Sequence, residues 1–430
     1  MCGAACRAQA APSAREDSTV PLPRLAALAA CAVLALTACT TPDGATKAHI
    51  VKPAEAKLGD TVLAFYLSPD SEAGTSKVEN LPAYLVLVQA DGSKKLIETS
   101  GMREPHIAWS GRGLFFSDDT RDYILGKDGL VSFENKKSSL QQSAFALPDD
   151  KGFVAVYNEG FSESDSGYTN QVAVTTSASS QLYQVEGNYY MNALCGGVLN
   201  GIATQAGTHL PASADVPGMR SKVDTAAEPE LLSQLYPATE GREKVLAWRA
   251  AFDAGDHNRH VPCHNGVVTF LSDYADADGK PHMTIVSWDT RTGAYTERPL
   301  VDAQRRPITE ELFDPETFSQ KSYDARAARD GRLEWLAGDG RIMSTDIASG
   351  LTEPRFDTGL ASGINSSSQA AFTEQSIHLI QETFDGKTPV KIKRFDRATG
   401  DLVTEIAVSG LAEQLGLEFN LRSIAVPPGA

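Results

Sequence analysis

Lys391-Ile-Lys-Arg-Phe-Asp-Arg-Ala-Thr-Gly400 decides the fold of this protein, because two other segments repeat its pattern. These are Thr284-Ile-Val-Ser-Trp-Asp-Thr-Arg-Thr-Gly293 and Arg341-Ile-Met-Ser-Thr-Asp-Ile-Ala-Ser-Gly350. In each segment a short alternating or apolar run ends in Asp-x-x-(Thr/Ser)-Gly. The Asp side chain can accept a hydrogen bond from the backbone amide two residues on, and the Gly takes the positive φ that redirects the backbone. The pattern therefore predicts a strand, a tight turn and a second strand in each segment.

The spacing of these turns predicts the architecture. Asp289, Asp346 and Asp396 are separated by 57 and 50 residues, which matches one four-stranded sheet per repeat. That is the period of a β-propeller. Asp91-Gly92 and Asp128-Gly129 are shorter forms of the same turn between apolar runs, so the repeat extends along the sequence. We therefore predict an all-β protein that folds as a β-propeller.

Counting the sheets gives seven four-stranded blades, although six or eight are alternatives because the fourth repeat carries a long insertion. The first repeat has only three candidate strands, and the run Leu421–Val426 could supply the fourth and close the ring. The insertion, at about 203–243, contains one short helical patch at Pro229–Tyr236 and is either a surface excursion or a lid. The predicted blades span residues 60–100, 104–137, 141–187, 189–255, 258–302, 320–360 and 368–410.

A family resemblance agrees with this architecture. The segment from Phe395 to Ile406, with Asp-x-x-Thr-Gly followed by Leu-Val, resembles the YVTN-type and quinoprotein-like propeller repeats. The resemblance implies the fold and not the quinone cofactor, whose enzymes use recurring tryptophans and a ligand set. The four tryptophans of this sequence do not recur at one blade position: Trp109, Trp248, Trp288 and Trp335. No cofactor is predicted.

The N-terminal region carries a targeting signal. The run from Leu25 to Leu36 has the length of a signal-peptide core, with Arg24 as its positive flank. Leu36-Thr37-Ala38-Cys39 resembles the lipobox of bacterial lipoproteins, which implies cleavage before Cys39 and a lipid on its thiol. An ordinary secretory signal is the alternative. We expect a signal peptide at 1–38, a lipidated tether at 39–59 and the propeller at 60–430, outside the cytoplasm and anchored to the membrane.

The net charge of −16 excludes one class of partner. Removing residues 1–38 makes the charge −17, since that segment holds three arginines and two acidic residues. A protein this acidic would lose the counterion release that dominates nucleic-acid affinity, so we expect no nucleic-acid partner.

Glu16 and Asp17 place negative charge where a signal peptide is positive, which predicts that translation starts near Val20.

Cysteine usage predicts one disulfide. Cys2, Cys6 and Cys31 would leave with the signal region and the lipid would consume Cys39. In an oxidising compartment the remaining pair, Cys195 and Cys263, is expected to form a bridge that pins the base of the insertion. Two separate buried thiols are the alternative.

Two clusters are candidates for metal binding. His257, His260 and His264 could ligate zinc or copper with Asp256 adding an oxygen, but their spacing fits no standard ligand pattern. A loop that leads into a strand explains them as well. Asp276 and Asp278 resemble part of a calcium loop, and a hairpin is the alternative.

Two further groups of residues have ordinary explanations beside the functional ones. Asp118, Asp119 and Asp122 form a similar acidic turn, of the kind found in solvated loops. Four tyrosines could form an aromatic platform for a glycan or peptide, or could pack inside the blades: Tyr157, Tyr168, Tyr189 and Tyr190.

The sequence lacks the Gly-x-Ser-x-Gly, His-Glu-x-x-His and phosphate-loop motifs. This absence favours a non-catalytic recognition or scaffold module that binds an envelope protein, a glycan or a small ligand at the outer face of the membrane. The alternative is a propeller hydrolase or lyase that acts on envelope polysaccharide or a lactone. Acidic or histidine residues that converge at the propeller axis would favour that alternative.

Overall fold

The computed structural model describes most of the sequence from residue 49 onward. The described residues are 49–69, 82–127, 129–161, 167–204, 229–249, 259–275, 281–308, 321–363, 366–383, 388–415 and 419–430. Within them the fold is all-β, and the strands form seven sheets. The seven sheets are the blades of a β-propeller, which confirms the predicted fold class and blade count.

Blades 2 to 7 are four-stranded antiparallel meanders, and blade 1 has five strands; all strands are numbered in sequence order. Blade 1 contains β1 (His49–Val51), β2 (Thr61–Pro69), β3 (Pro82–Gln89) and β4 (Lys94–Ser100), and blade 2 contains β5 (Ala108–Ser110), β6 (Gly113–Ser117), β7 (Arg121–Leu125) and β8 (Leu130–Glu134). Blade 3 contains β9 (Gln141–Ala146), β10 (Phe153–Phe161), β11 (Tyr168–Thr175) and β12 (Ser180–Glu186). Blade 4 contains β13 (Tyr189–Cys195), β14 (Val198–Thr204), β15 (Glu230–Thr239) and β16 (Arg242–Arg249).

Blades 5 to 7 follow the same order, and the polypeptide then returns to blade 1. Blade 5 contains β17 (Cys263–His264), β18 (Val267–Ala275), β19 (Pro281–Asp289) and β20 (Tyr295–Pro299), and blade 6 contains β21 (Ala328–Arg329), β22 (Arg332–Leu336), β23 (Arg341–Asp346) and β24 (Thr352–Asp357). Blade 7 contains β25 (Ser366–Phe372), β26 (Ser376–Thr383), β27 (Val390–Asp396) and β28 (Leu402–Val408). The helix α1 (Leu411–Leu415) and the strand β29 (Phe419–Ala425) follow blade 7. Short 3-10 turns lie at Pro53–Glu55 and Pro148–Asp150.

The C-terminal strand closes the ring as predicted. β29 pairs antiparallel with β2, from Ala64 opposite Ala425 to Pro69 opposite Phe419, and so becomes the innermost strand of blade 1. Blade 1 is thus built from the N-terminal strands β1–β4 and the C-terminal strand β29, and the inner edge of β2 is paired.

The predicted tether boundary at residue 59 is wrong. β1 adds to blade 1 as a fifth strand, parallel to β4, with Ile50 opposite Leu96. Val51, Ala56 and Leu58 are buried with residues of blades 1 and 2. Burying these apolar side chains in the core lowers the free energy more than leaving them in a solvated tether would. The folded body therefore includes residues from His49 onward, and Cys39 lies outside the described residues.

The Asp-x-x-(Thr/Ser)-Gly turns have the predicted chemistry. Asp289 Oδ1 accepts from the amide of Arg291 at 2.8 Å, and Asp396 Oδ1 accepts from the amide of Ala398 at 2.9 Å. Gly293 and Gly400 have φ of 70° and 80°, the left-handed region that favours glycine. Each turn joins the third and fourth strands of its blade, so the repeated sequence marks one structural position.

Side chains that alternate along the strands pack between neighbouring blades. On β2, Leu63, Phe65 and Leu67 pack with residues of blade 7, whereas Ala64 and Tyr66 pack with residues of blade 2. The period of two puts successive side chains on opposite sheet faces. Inner strands are therefore buried on both faces, whereas the outermost β28 is largely exposed. The four tryptophans occupy first to fourth strands of different blades, as their irregular spacing predicts.

The insertion in blade 4 is shorter than predicted, and its helix prediction is wrong. Residues Glu230–Thr239 form β15, which pairs with β14 from Thr204 opposite Glu230 to Leu199 opposite Tyr236. Pro229–Tyr236 is extended because Leu231, Leu232 and Leu235 are all buried in the sheet. The connection between the two strands spans 205–229, and residues 205–228 lie outside the described part.

The disulfide between Cys195 and Cys263 is present, with the two Cα atoms 5.2 Å apart. It joins the end of β13 to β17, the innermost strands of blades 4 and 5. Since Thr204 and Cys195 lie at opposite ends of the β13–β14 hairpin, the bridge does not pin the base of the insertion. That part of the prediction is wrong, and the disulfide instead joins two blades beside the axis.

We predict that Cys195→Ser lowers the free energy of unfolding under oxidising conditions by up to about 4 kcal/mol, the chain-entropy value for a loop of this length. The bridge closes 68 residues of sequence separation. Urea unfolding with and without reductant measures the effect, and Cys263→Ser is the matched control. A loss of the same size when both proteins are held reduced would show that the bridge does not stabilise the fold.

Candidate functional site at the propeller axis

The two faces of the propeller differ in the connections that they carry. We call the face where the innermost strands begin the upper face, and the face where they end the lower face. The antiparallel order places every connection between blades, and every turn between second and third strands, on the upper face. The 205–229 connection therefore leaves the sheet at this face. In contrast, the disulfide lies toward the lower face.

Charged residues from different blades meet near the axis on the upper side. Arg259, which precedes blade 5, forms an ion pair with Glu104, which precedes blade 2. Its guanidinium also donates to the side-chain oxygen of Gln142, in the innermost strand of blade 3. Burial lowers the pKa of Arg259, and the Glu104 carboxylate opposes that shift. One arginine thus links residues of three blades on the upper side.

Two histidines pack against each other beside this arginine. The rings of His106 and His260 are 4.6 Å apart, edge to face, and Phe145 lies 5.0 Å from His260. His260 Nε2 contacts the backbone N of Ala144 at 3.1 Å and its O at 3.2 Å. Burial lowers the pKa of His260 to about 4 and that of His106 well below its usual range. Both rings are therefore neutral at pH 7.

A second arginine and a carboxyl group complete the cluster. Arg422 of β29 donates from Nε to Ser68 Oγ at 2.9 Å. Its positive charge helps to lower the pKa of His106 and that of Arg259. Glu382, in β26 of blade 7, accepts from the backbone N of Leu421 at 2.8 Å. Burial raises the pKa of the Glu382 carboxyl to about 7, although the Leu421 amide and Arg422 oppose this shift. We call Glu104, His106, Arg259, His260, Glu382 and Arg422 the axial cluster.

The axial cluster can bind an anionic or hydrogen-bonding group. Arg259 and Arg422 are only partly buried; Arg259 pairs with Glu104, and Arg422 lies near Glu382, whose pKa is raised to about 7 by burial. His106 Nδ1 has no hydrogen-bond partner among the described residues. Partly buried positive charge attracts oxyanions, and planar guanidinium groups hold them with two hydrogen bonds.

An exposed aromatic pair lies on the same face. Phe161, at the end of β10, is 72% exposed, and its ring centroid is 4.0 Å from that of Tyr168 at the start of β11. Tyr157 and Tyr189 are buried, and Tyr190 donates to Glu230 at 3.1 Å between strands of blade 4. Packing therefore accounts for these three tyrosines, whereas Tyr168 keeps the platform interpretation through its partner Phe161.

The structure does not bring the predicted histidine ligands together. His260 is held near the axis, whereas His264 is exposed at the end of β17 on the lower face. His257 and Asp256 lie outside the described residues, as do Asp276 and Asp278. Among the residues that the structure describes, no three His, Cys, Asp or Glu side chains form a group able to hold a metal ion.

The acidic turn after β6 is structural. Asp118 Oδ1 accepts from the amides of Thr120 and Arg121 at 2.9 and 2.7 Å, and its other oxygen accepts from Tyr123 at 2.7 Å. Asp122 points inward and forms an ion pair with Lys137 Nζ at 3.0 Å. The solvated-loop interpretation is therefore wrong for Asp118 and Asp122, since both residues are buried.

Sequence reasoning missed the axial cluster except for His260. Its members come from three stretches far apart in the sequence, at residues 104–106, 259–260 and 382–422, and no motif links them. Only the position of Glu104, His106 and Arg259 just before innermost strands would have indicated the axis.

In the part of the protein that the structure describes, no helix is long and apolar enough to cross a membrane.

Comparison with known proteins supports the fold. The family model of the YycP beta-propeller domain matches residues 56–197, which include blades 1 to 3. No curated protein matches the sequence. A similar solved structure is a mutant of Synechocystis ACO, with 8% sequence identity and a TM-score of 0.48 over 87% of this chain and 94% of the ACO chain. A hypothetical selenium-binding protein from Sulfolobus tokodaii has 10% identity and a TM-score of 0.48 over 85% of this chain and 93% of its own. The beta-propeller domain of the Trilobed protease from Pyrococcus furiosus has 11% identity and a TM-score of 0.46 over 84% of this chain and 97% of its own.

Proposed function

We propose that this β-propeller is a recognition module anchored to the outer face of the cell membrane, and that its upper face binds another envelope component. The observation that carries the proposal is the pair of Phe161 and Tyr168. An aromatic ring that is 72% exposed contributes nothing to the core, and it lies on the face that carries the axial cluster and the connections between blades.

The composition of this face agrees with binding. Aromatic residues and arginine are enriched where proteins recognise partners, since they bury large areas and donate several hydrogen bonds. The upper face offers Phe161, Tyr168, Arg259 and Arg422 in a protein whose net charge is −16. An anionic group of the partner would meet the arginines at the axis, while an apolar group would cover the aromatic pair.

Membrane anchoring is the second part of the proposal. The lipobox-like Leu36-Thr37-Ala38-Cys39 supports a lipid on Cys39. Residues 40–48 separate Cys39 from β1 and span at most about 30 Å when fully extended, at ~3.4 Å per residue. A lipid on Cys39 would therefore keep the propeller close to the membrane surface, where it could reach membrane-bound or periplasmic partners.

The test is site-specific photocrosslinking in cells that express the full-length protein. A photoreactive phenylalanine analogue replaces Phe161, and the matched control places it at Leu402, which is 50% exposed on the outermost strand of blade 7. We expect a discrete adduct from position 161 and none from position 402. Mass spectrometry identifies the partner.

The same experiment examines the anchor. In the Cys39→Ser background we expect the protein to leave the membrane fraction and the adduct from position 161 to decrease several-fold. Identical adducts from both positions, or none from position 161 in a folded, anchored protein, would contradict recognition by the upper face. Unchanged membrane association of Cys39→Ser would contradict the lipid anchor alone.

A hydrolase or lyase acting on envelope polysaccharide or a lactone is the second candidate. The observation that favours it is Glu382, since a carboxyl with a pKa of about 7 is suited to general acid catalysis at neutral pH. Its described neighbours are the Leu421 amide and Arg422, without a second carboxylate beside it. Recognition is the better supported function because a glycosidase requires two such groups.

A further inference from the structure

A second arginine cluster lies on the lower face, away from the axial cluster. An open pocket of about 320 Å³ is lined by residues of blade 6: Arg329, Asp330, Arg332, Glu334, Ser344, Glu353, Pro354 and Arg355. Arg329 ends the first strand and Asp330 begins the turn to the second, which places the pocket on the lower face. The binding function proposed for the upper face does not use it.

One buried carboxylate serves three arginines beside this pocket. Glu334 is 3% exposed and forms ion pairs with Arg355, with Arg329 at 3.6 Å and with Arg397 of blade 7 at 2.5 Å. Arg397 is buried, and its remaining donors contact the carbonyl oxygens of Thr373 and Ala327. The pocket lining together with Arg397 holds four arginines against three carboxylates, those of Asp330, Glu334 and Glu353, so one positive charge is not matched.

The fourth arginine is oriented toward the pocket by its own contacts. Arg332 donates from Nε to Ser344 Oγ at 2.7 Å and from Nη2 to the Ser344 carbonyl at 3.1 Å. Its carboxylate partner Glu353 is 3.5 Å away and half exposed. Among the described residues, Arg332 Nη1 has no partner. Two contacts therefore fix the guanidinium while one nitrogen remains free to donate.

We propose that this pocket binds a small oxyanion, the carboxylate or phosphate group of a low-molecular-weight ligand. Arg329, Arg332 and Arg355 each keep a partly exposed guanidinium at the pocket wall. Planar guanidinium groups suit the two-oxygen geometry of carboxylate and phosphate. The volume lies at the lower end of the range for ligand pockets, which favours a small molecule over a polymer.

The test uses inorganic phosphate and succinate as probes, titrated into the intact protein at low ionic strength by isothermal calorimetry. We expect saturable binding of at least one probe. Arg332→Gln should weaken it about tenfold or more, since a charge-assisted hydrogen bond is lost. Glu353→Gln should strengthen it about threefold, because it frees Arg332 and removes a negative charge. The tighter probe identifies the ligand as phosphate-bearing or carboxylate-bearing.

The two substitutions have opposite expected signs, so a general loss of stability cannot imitate both. Arg291→Gln is the matched control, since it removes the same charge from an exposed arginine on the lower face outside the pocket and should leave binding unchanged. No saturation below about 10 mM of either probe, corresponding to a binding free energy weaker than ~3 kcal/mol, would overturn the proposal. Binding that is insensitive to both Arg332→Gln and Glu353→Gln would also overturn it.

Discussion

A variant that lacks residues 419–430 is expected to lose cooperative folding. β29 is the innermost strand of blade 1, and its removal leaves the inner edge of β2 unpaired from Ala64 to Pro69. It also uncovers the core that Leu421 and Val426 share with Phe65 and Ile380. Burial of each large apolar side chain contributes about 1.5–3 kcal/mol, so the loss is comparable with the roughly 5–15 kcal/mol that stabilises a typical domain.

The hydrogen bonds between β29 and blade 7 would be lost as well. Gln369 Nε2 donates to the Leu421 carbonyl at 3.0 Å, and the Leu421 amide donates to Glu382 at 2.8 Å. Deleting the strand therefore separates blades 1 and 7 as well as opening a sheet edge. An open edge with an exposed apolar core is expected to aggregate.

Urea unfolding followed by tryptophan fluorescence, together with size-exclusion chromatography, measures this result. The control adds a synthetic peptide of residues 419–430 in trans, which should restore a cooperative transition by pairing with β2. The same peptide with Leu421→Asp should not. A truncated protein that unfolds cooperatively within about 1 kcal/mol of the full-length protein would show that closure by β29 is unimportant for stability.

Lys137→Met is expected to destabilise the propeller by about 3–5 kcal/mol, the cost of leaving one partner of a buried ion pair alone. Lys137 and Asp122 lie 3.0 Å apart, and both side chains are fully buried. Burial lowers the pKa of Lys137, and the attraction of Asp122 opposes that shift. Without Lys137, the carboxylate of Asp122 keeps only neutral donors.

Those neutral donors connect two blades. Asp122 accepts from Asn135 at 2.7 Å, from Ser180 at 2.8 Å and from Thr175 at 3.1 Å. Ser180 and Thr175 belong to blade 3, whereas Asp122 is in blade 2. The uncompensated charge would therefore weaken the packing of blade 2 against blade 3.

Urea unfolding of Lys137→Met, Asp122→Asn and the double variant tests this account. The double variant should lose less stability than Lys137→Met, since no charge remains buried. Losses that are additive in the double variant would mean that the pair contributes no electrostatic stabilisation.

The fold was predictable because its signals are local. An aspartate that accepts the amide two residues on, and a glycine with positive φ, act within five residues, as the turns after Asp289 and Asp396 show. The helix predicted at Pro229–Tyr236 failed for the opposite reason. Leu231, Leu232 and Leu235 fit a helical spacing, but the neighbouring strand β14 decides that this segment is extended.

The proposed binding sites were largely unpredictable because they depend on residues distant in sequence. Arg397 shows this within the stretch that decides the fold. The sequence places it in a tight turn, and the structure buries it against Glu334, 63 residues earlier and in the neighbouring blade. No local pattern indicates which carboxylate will meet which arginine when two blades pack together.

From its sequence alone, this protein is a closed propeller with a disulfide pair and an N-terminal segment that resembles a lipoprotein signal. Strand period, turn chemistry and repeat spacing are encoded by neighbouring residues, so the blades and their closure could be counted. Only the tertiary structure decided that Cys195 and Cys263 join two blades, that Arg259 and Arg422 meet at the axis, and that Phe161 is exposed. The physical reason is that burial and charge pairing depend on how the blades are arranged in space, which no single segment contains.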